Sequence, residues 1–111
     1  MDEKLIKTYV PMTETAFYIL LSLMQPRHGY AITDNVKKMT KNRIVLGPGT
    51  IYGSLSKMKK DQLVAIIQEE KNRKIYQITE LGKQVLRMEK SRIEELYTNS
   101  REASQHDEEG I

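Results

Sequence analysis

Between residues 63 and 79 two β-branched runs, "LVAIIQ" and "KIYQIT", are joined by only the five polar residues "EEKNR". A connection of that length forces its strands to pair antiparallel, since a parallel pair needs a crossover of a dozen residues or more. The spacing predicts a β-hairpin with Lys71 and Asn72 at its tip. A lone hairpin cannot form a stable domain, so helices must supply the rest of the core.

Before the hairpin the period is helical. "TETAFYILLSLM" (13–24) has the apolar density of a buried helix, with Thr13 as N-cap and Glu14 in the first turn, and "QPRHG" breaks it. Ile32, Val36 and Met39 recur at i, i+4 and i+7, predicting a second helix from Tyr30 to about Thr40 with one buried stripe. Ile51, Leu55 and Met58 repeat the pattern in a third helix from Pro48 to about Asp61, with proline at the first helical position, where its missing N–H is harmless. After the hairpin, Thr79 caps a long helix reaching about residue 104. Leu81, Val85 and Met88 can pack on the domain, whereas Ile93, Leu96 and Tyr97 carry the apolar side past a core this small, which points to a second chain.

With 111 residues, 39% hydrophobic and 30% charged, the chain suits one domain. It has no cysteine, and its histidines, His28 and His106, lie far apart, which excludes disulfides, thiol catalysis and any visible metal constellation. No cofactor and no enzymatic activity are expected. No apolar run approaches a membrane span or signal peptide, so the expectation is a cytoplasmic protein without a membrane partner. The net charge of +3 gathers into three basic clusters, Lys37 to Arg43, Lys57 to Lys60 and Lys71 to Lys74, which can face one polyanion.

"GPGTIYGS" (47–54) admits two readings. As a phosphate cradle it would follow a strand "RIVL" and open a helix, but the spacing is GxGxxxG, with Tyr52 where a dinucleotide fold places its third glycine, and a parallel sheet is excluded by the hairpin. As the start of a DNA-recognition helix, every element has a place: three helices and a hairpin are the winged helix-turn-helix order. With Ile51, Leu55 and Met58 inward, Thr50, Gly53, Ser54 and Lys57 are expected on the outer face, where small residues let backbone approach DNA.

"HGYAI", "GPGTIYGSLSKMKKDQLV" and "RKIYQITELGKQVL" together resemble the PadR family of bacterial transcriptional regulators, over about residues 13 to 97. The resemblance implies a homodimer held by the C-terminal helices with the first helix helping, bound to a palindromic double-stranded DNA operator and usually repressing. The family's G-T-[LI]-Y element falls on Gly49, Thr50, Ile51 and Tyr52, and its basic wing on Arg73, Lys74 and Tyr76. Gly53 stands where the family often has proline, Lys74 replaces an arginine and Ile75 an aromatic residue. Some members bind flat aromatic or drug-like effectors between the C-terminal helices; this chain has no tryptophan to stack on one.

The expected fold is thus mainly α with a β-hairpin wing, a winged helix-turn-helix plus a long C-terminal dimerisation helix. Residues 1–79 form the DNA-binding domain with an N-terminal arm, 80–104 the dimerisation helix and 105–111 a disordered tail. The expected DNA contacts are Tyr30; Gly49, Thr50, Tyr52, Gly53, Ser54 and Lys57 on the third helix; and Lys71, Arg73 and Lys74 on the wing. The expected dimer contacts are Phe17, Met88, Ile93, Leu96 and Tyr97. A winged-helix module for protein contact or ligand sensing, without strong DNA affinity, is the alternative.

Overall fold

The computed structural model describes residues 3–105 and Asp107. The elements run α1 (Glu3–Tyr9), α2 (Glu14–Ser22), α3 (Gly29–Met39), α4 (Pro48–Lys60), β1 (Val64–Glu70), β2 (Arg73–Ile78) and α5 (Glu80–Ala103). The three helices expected before the hairpin are α2, α3 and α4. Helix α1 occupies the place of the expected N-terminal arm. Of the tail, Gln105 and Asp107 are described and their N–H groups bond to Glu102 and Ser104; the remainder lies outside the described residues.

Caps fix where the helices begin. Thr13 accepts the Ala16 N–H at 3.1 Å, and Thr79 accepts that of Gly82 at 3.0 Å, each satisfying a donor that the first helical turn leaves unpaired. At the end of α3, Lys41 and Asn42 adopt φ of 51° and 67° and the Asn42 N–H reaches back to the Lys37 carbonyl, a Schellman closure. This reversal corrects the expected stripe. Ile32 and Val36 are buried but Met39 is 39% exposed. Buried Thr40 takes its place, its hydroxyl donating to the Val36 carbonyl and accepting the Ile44 N–H.

The core lies where α2, α3, α4 and the first turns of α5 meet: Ile19, Leu20, Leu23, Ile32, Ile51, Leu55, Leu63 and Val85 are all at most 1% exposed. β1 and β2 pair antiparallel from Val64↔Ile78 to Glu70↔Arg73, with a bulge at Ile67. Lys71 and Asn72 both have positive φ, 44° and 67°, as a two-residue type I′ turn requires. On the other side of β2, Arg27 exchanges backbone hydrogen bonds with Tyr76 at 3.0 and 2.9 Å, and the Ile78 N–H donates to the Leu23 carbonyl. The wing is therefore tied to the α2–α3 turn.

Glu89 of α5 is only 1% exposed. Its Oε2 accepts the Met12 N–H at 3.0 Å, and Arg92 closes a two-pronged pair at 2.6 and 2.9 Å. The Arg92 guanidinium, assisted by the Met12 N–H, holds the Glu89 carboxyl below its ordinary range against the opposing effect of burial. A depressed carboxyl stabilises the fold fully above the ordinary range, and that contribution is lost as pH falls through the folded value. Glu89→Gln is expected to lower stability by roughly 1–3 kcal/mol near neutral pH. In thermal melts its gap from the unsubstituted protein should close as pH falls below about 4; a gap independent of pH would contradict the pairing.

Candidate nucleic-acid interface

Helix α4 buries Ile51, Leu55 and Met58 and turns a glycine-bearing side outward. A Cβ built on Gly49 or Gly53 meets nothing within 4 Å, so both open onto free space. Gly29 is different. A Cβ there would stand 2.7 Å from the Tyr52 hydroxyl, so the glycine in "HGY" is what lets the Tyr52 ring lie against the start of α3. Tyr52 remains 51% exposed and Tyr30 76%, with the Tyr30 ring stacked near His28 at 6.5 Å.

Tyr52 and the wing enclose a groove of about 590 Å³ lined by His28, Tyr30, Tyr52, Ser56, Arg73 and Lys74 among others, with Tyr76 at its base. No aspartate or glutamate is among its lining residues. Buried Tyr76 has its phenol pushed up, by burial first and then by Tyr52 and Glu69, so it stays neutral. The groove thus presents hydroxyls, an imidazole and two cations along one concave strip, a donor set suited to phosphate oxygens. Arg73 and Lys74 stand opposite Glu70 and Glu69 in the hairpin register, which tempers the charge of the wing, and Lys71 is exposed at its tip.

On the opposite flank of α4 one expectation is modified. Ser54 is half-buried, facing Tyr9, Pro11 and Met12, instead of lying on the open face. It stands three residues after Ile51 and four before Met58, between two buried neighbours on the same side of the helix. Ser56, four residues after Tyr52, holds the open position in the groove and escaped the sequence reading. Lys57 is exposed, with its ammonium 5.4 Å from the centre of the Tyr9 ring. Thr50 is exposed as expected.

Among the expected dimer contacts, Phe17 and Met88 are half-buried, whereas Ile93, Leu96 and Tyr97 are 39, 54 and 64% exposed. No helix among the described residues is long and apolar enough to cross a membrane, and no group of three or more His, Cys, Asp or Glu is placed to hold a metal ion among them.

Three packed helices, a third with an open glycine-bearing side, and a basic hairpin beside it define a winged helix-turn-helix protein of the DNA-binding class. The chain belongs to the transcriptional regulator PadR-like family, whose model matches residues 19–88, and its members are regulators, not enzymes. It is 34% identical over 64 residues to an uncharacterized 37.1 kDa protein in transposon TN4556 of Streptomyces fradiae, a match covering 58% of this chain and 18% of that protein's length. The fold is similar to that of a PadR family transcriptional regulator from Eggerthella lenta, with TM-score 0.67, 20% identity and coverage of 94% of this chain and 88% of that one. It is also similar to a transcriptional regulator from Clostridium thermocellum, with TM-score 0.62, 20% identity and coverage of 96% and 100%.

Proposed function

We propose that this protein is a cytoplasmic transcriptional repressor that binds a palindromic double-stranded operator as a homodimer. In this reading residues 1–79 engage DNA and 80–104 join the two copies. α4 enters the major groove with Gly49, Thr50, Gly53 and Lys57 outward, and the strip of Tyr30, Tyr52, Arg73 and Lys74 follows the phosphate backbone. The observation that carries it is the donor-lined groove between α4 and the wing, free of acidic lining residues and set beside a helix side that carries no Cβ at Gly49 or Gly53. A small aromatic or drug-like effector is the class that a cleft between two α5 helices would accept, with Tyr97 as its aromatic wall.

The test is binding to duplexes selected from a random pool and to the region upstream of its own gene, over a range of salt. Affinity should fall steeply with salt, because each neutralised phosphate releases counterions, and alanine at Arg73 or Lys74 should flatten the slope for all sequences alike. Gly53→Ala is expected to keep or raise thermal stability by up to about 1 kcal/mol, since its Cβ meets nothing. Gly53→Leu should remain folded yet lose operator binding, its side chain holding α4 out of the groove. A Gly53→Leu protein that bound the operator normally would show that this side of α4 does not enter the groove, whereas weak binding to every duplex, unaffected by salt, would favour the protein-contact module instead.

A further inference from the structure

Lys57 and Asp61 stand one helical turn apart at the end of α4, a spacing at which opposite charges pair along a helix. Tyr9, the last residue of α1, takes hold of both. Its hydroxyl donates to Asp61 Oδ2 at 2.6 Å, while its ring lies under the Lys57 ammonium at 5.4 Å. Tyr9 is only 6% exposed, and burial followed by the bond to Asp61 pushes its hydroxyl far above the ordinary phenol range, so it remains a donor. The segment that carries it is secured farther on by the Met12 N–H to Glu89.

We propose that Tyr9 is a positioning residue for DNA binding: by engaging the Asp61 carboxylate it keeps the Lys57 ammonium from its acidic helical neighbour and leaves it available to DNA. The inference rests on the reading of Lys57 as a DNA contact. Without the phenol hydroxyl, the Asp61 carboxylate, held at a helix C-terminus where the dipole disfavours a negative charge, turns to the cation one turn back. A Lys57 paired internally neutralises one phosphate fewer, so the salt dependence of binding becomes shallower as affinity falls. The α1 helix, absent from the sequence reading, thereby acquires a part in recognition.

The experiment is a double-mutant cycle on a duplex selected by the unsubstituted protein from a random pool, at a temperature where melts show every variant folded. Tyr9→Phe keeps the ring and removes only the hydroxyl; it should weaken binding about 3- to 10-fold and reduce the magnitude of the log–log salt slope by about one. Asp61→Asn alone should change little, since Tyr9 already occupies that carboxylate. Combined with Tyr9→Phe it should restore both affinity and slope, although the pair has lost the same hydrogen bond; a purely structural role for Tyr9 predicts no such rescue. If Lys57→Ala weakens binding while Tyr9→Phe does not, or if Asp61→Asn gives the same gain with and without Tyr9, the proposal is overturned and the reading of Lys57 survives. If Lys57→Ala has no effect on DNA, that reading fails first and the proposal with it.

Discussion

Glutamate at both Ile93 and Leu96 is expected to give a folded monomer whose operator affinity has dropped by at least about a hundredfold, the scale lost when two linked half-sites become independent. The last buried residue of α5 is Glu89, and beyond it Ile93, Leu96 and Tyr97 are exposed on the 24-residue helix. At 1.5 Å per residue the segment after Glu89 extends roughly 20 Å, too far for the small core to cover. Tyr97 is braced by Arg101, whose guanidinium lies 5.8 Å from its ring centre. Because positions 93 and 96 are exposed within one chain, glutamate there should alter the fold of the single chain by no more than about 0.5 kcal/mol. The loss should therefore appear in assembly and DNA binding with little change in the far-ultraviolet spectrum. A C2 pairing along this face would match the two-fold symmetry of a palindrome. Light scattering checks the idea directly: a native protein with the mass of a single chain at tens of micromolar would end it, as would a double variant that remains dimeric.

The wing and α2 to α4 were legible because each carries its own period or cap: Thr13, Pro48 and Thr79 mark helix starts, and the five residues between "LVAIIQ" and "KIYQIT" permit little but a hairpin. What was missed is held by single long-range contacts that leave no periodic trace. α1 has seven residues and docks through half-buried Leu5 and one fully buried side chain, Tyr9, whose partner Asp61 lies fifty-two positions away. The Arg27–Tyr76 bridge is one residue long and falls in "QPRHG", where proline and glycine read only as a break. Glu89 follows Val85 by one turn and so continues the buried side of α5; its charge disguised it, because a buried carboxylate is intelligible only once Met12 and Arg92 are in place. For the interface, the outward position of Gly53 followed from the helical wheel, whereas Ser54 required knowing how closely α1 and its connection approach α4.

Gly82→Ala is expected to be the most damaging single methyl group that can be added to this protein. By helix propensity alone, alanine in place of a glycine within a long helix should favour the helix by about 1 kcal/mol. The structure reverses the sign. A Cβ at Gly82 would stand 2.2 Å from the Leu63 carbonyl oxygen and 2.7 Å from Cγ1 of Ile78. The isoleucine can rotate away, but the Leu63 carbonyl cannot, since it accepts the Thr79 N–H at 3.0 Å where β1 is about to begin. The first turn of α5 must therefore lift off the base of the wing, loosening the packing of Val85 and Leu86 behind it. Overpacking costs about 1–3 kcal/mol, and about 3–5 here because backbone has to move; less the roughly 1 kcal/mol of helix propensity gained, a net loss of roughly 2–4 kcal/mol should lower the melting temperature by some 10–20 °C. Gly53→Ala adds the same methyl group to the middle of another helix and should do the opposite, so comparing the two melts separates packing from propensity without further assumptions. In the proposed dimer, where α5 joins the two copies, a Gly82→Ala protein that still folds should also hold the two winged-helix units at an altered spacing, and operator affinity should fall further than stability alone explains. An alanine variant as stable as the unsubstituted protein would show that α5 does not press on Leu63 as described.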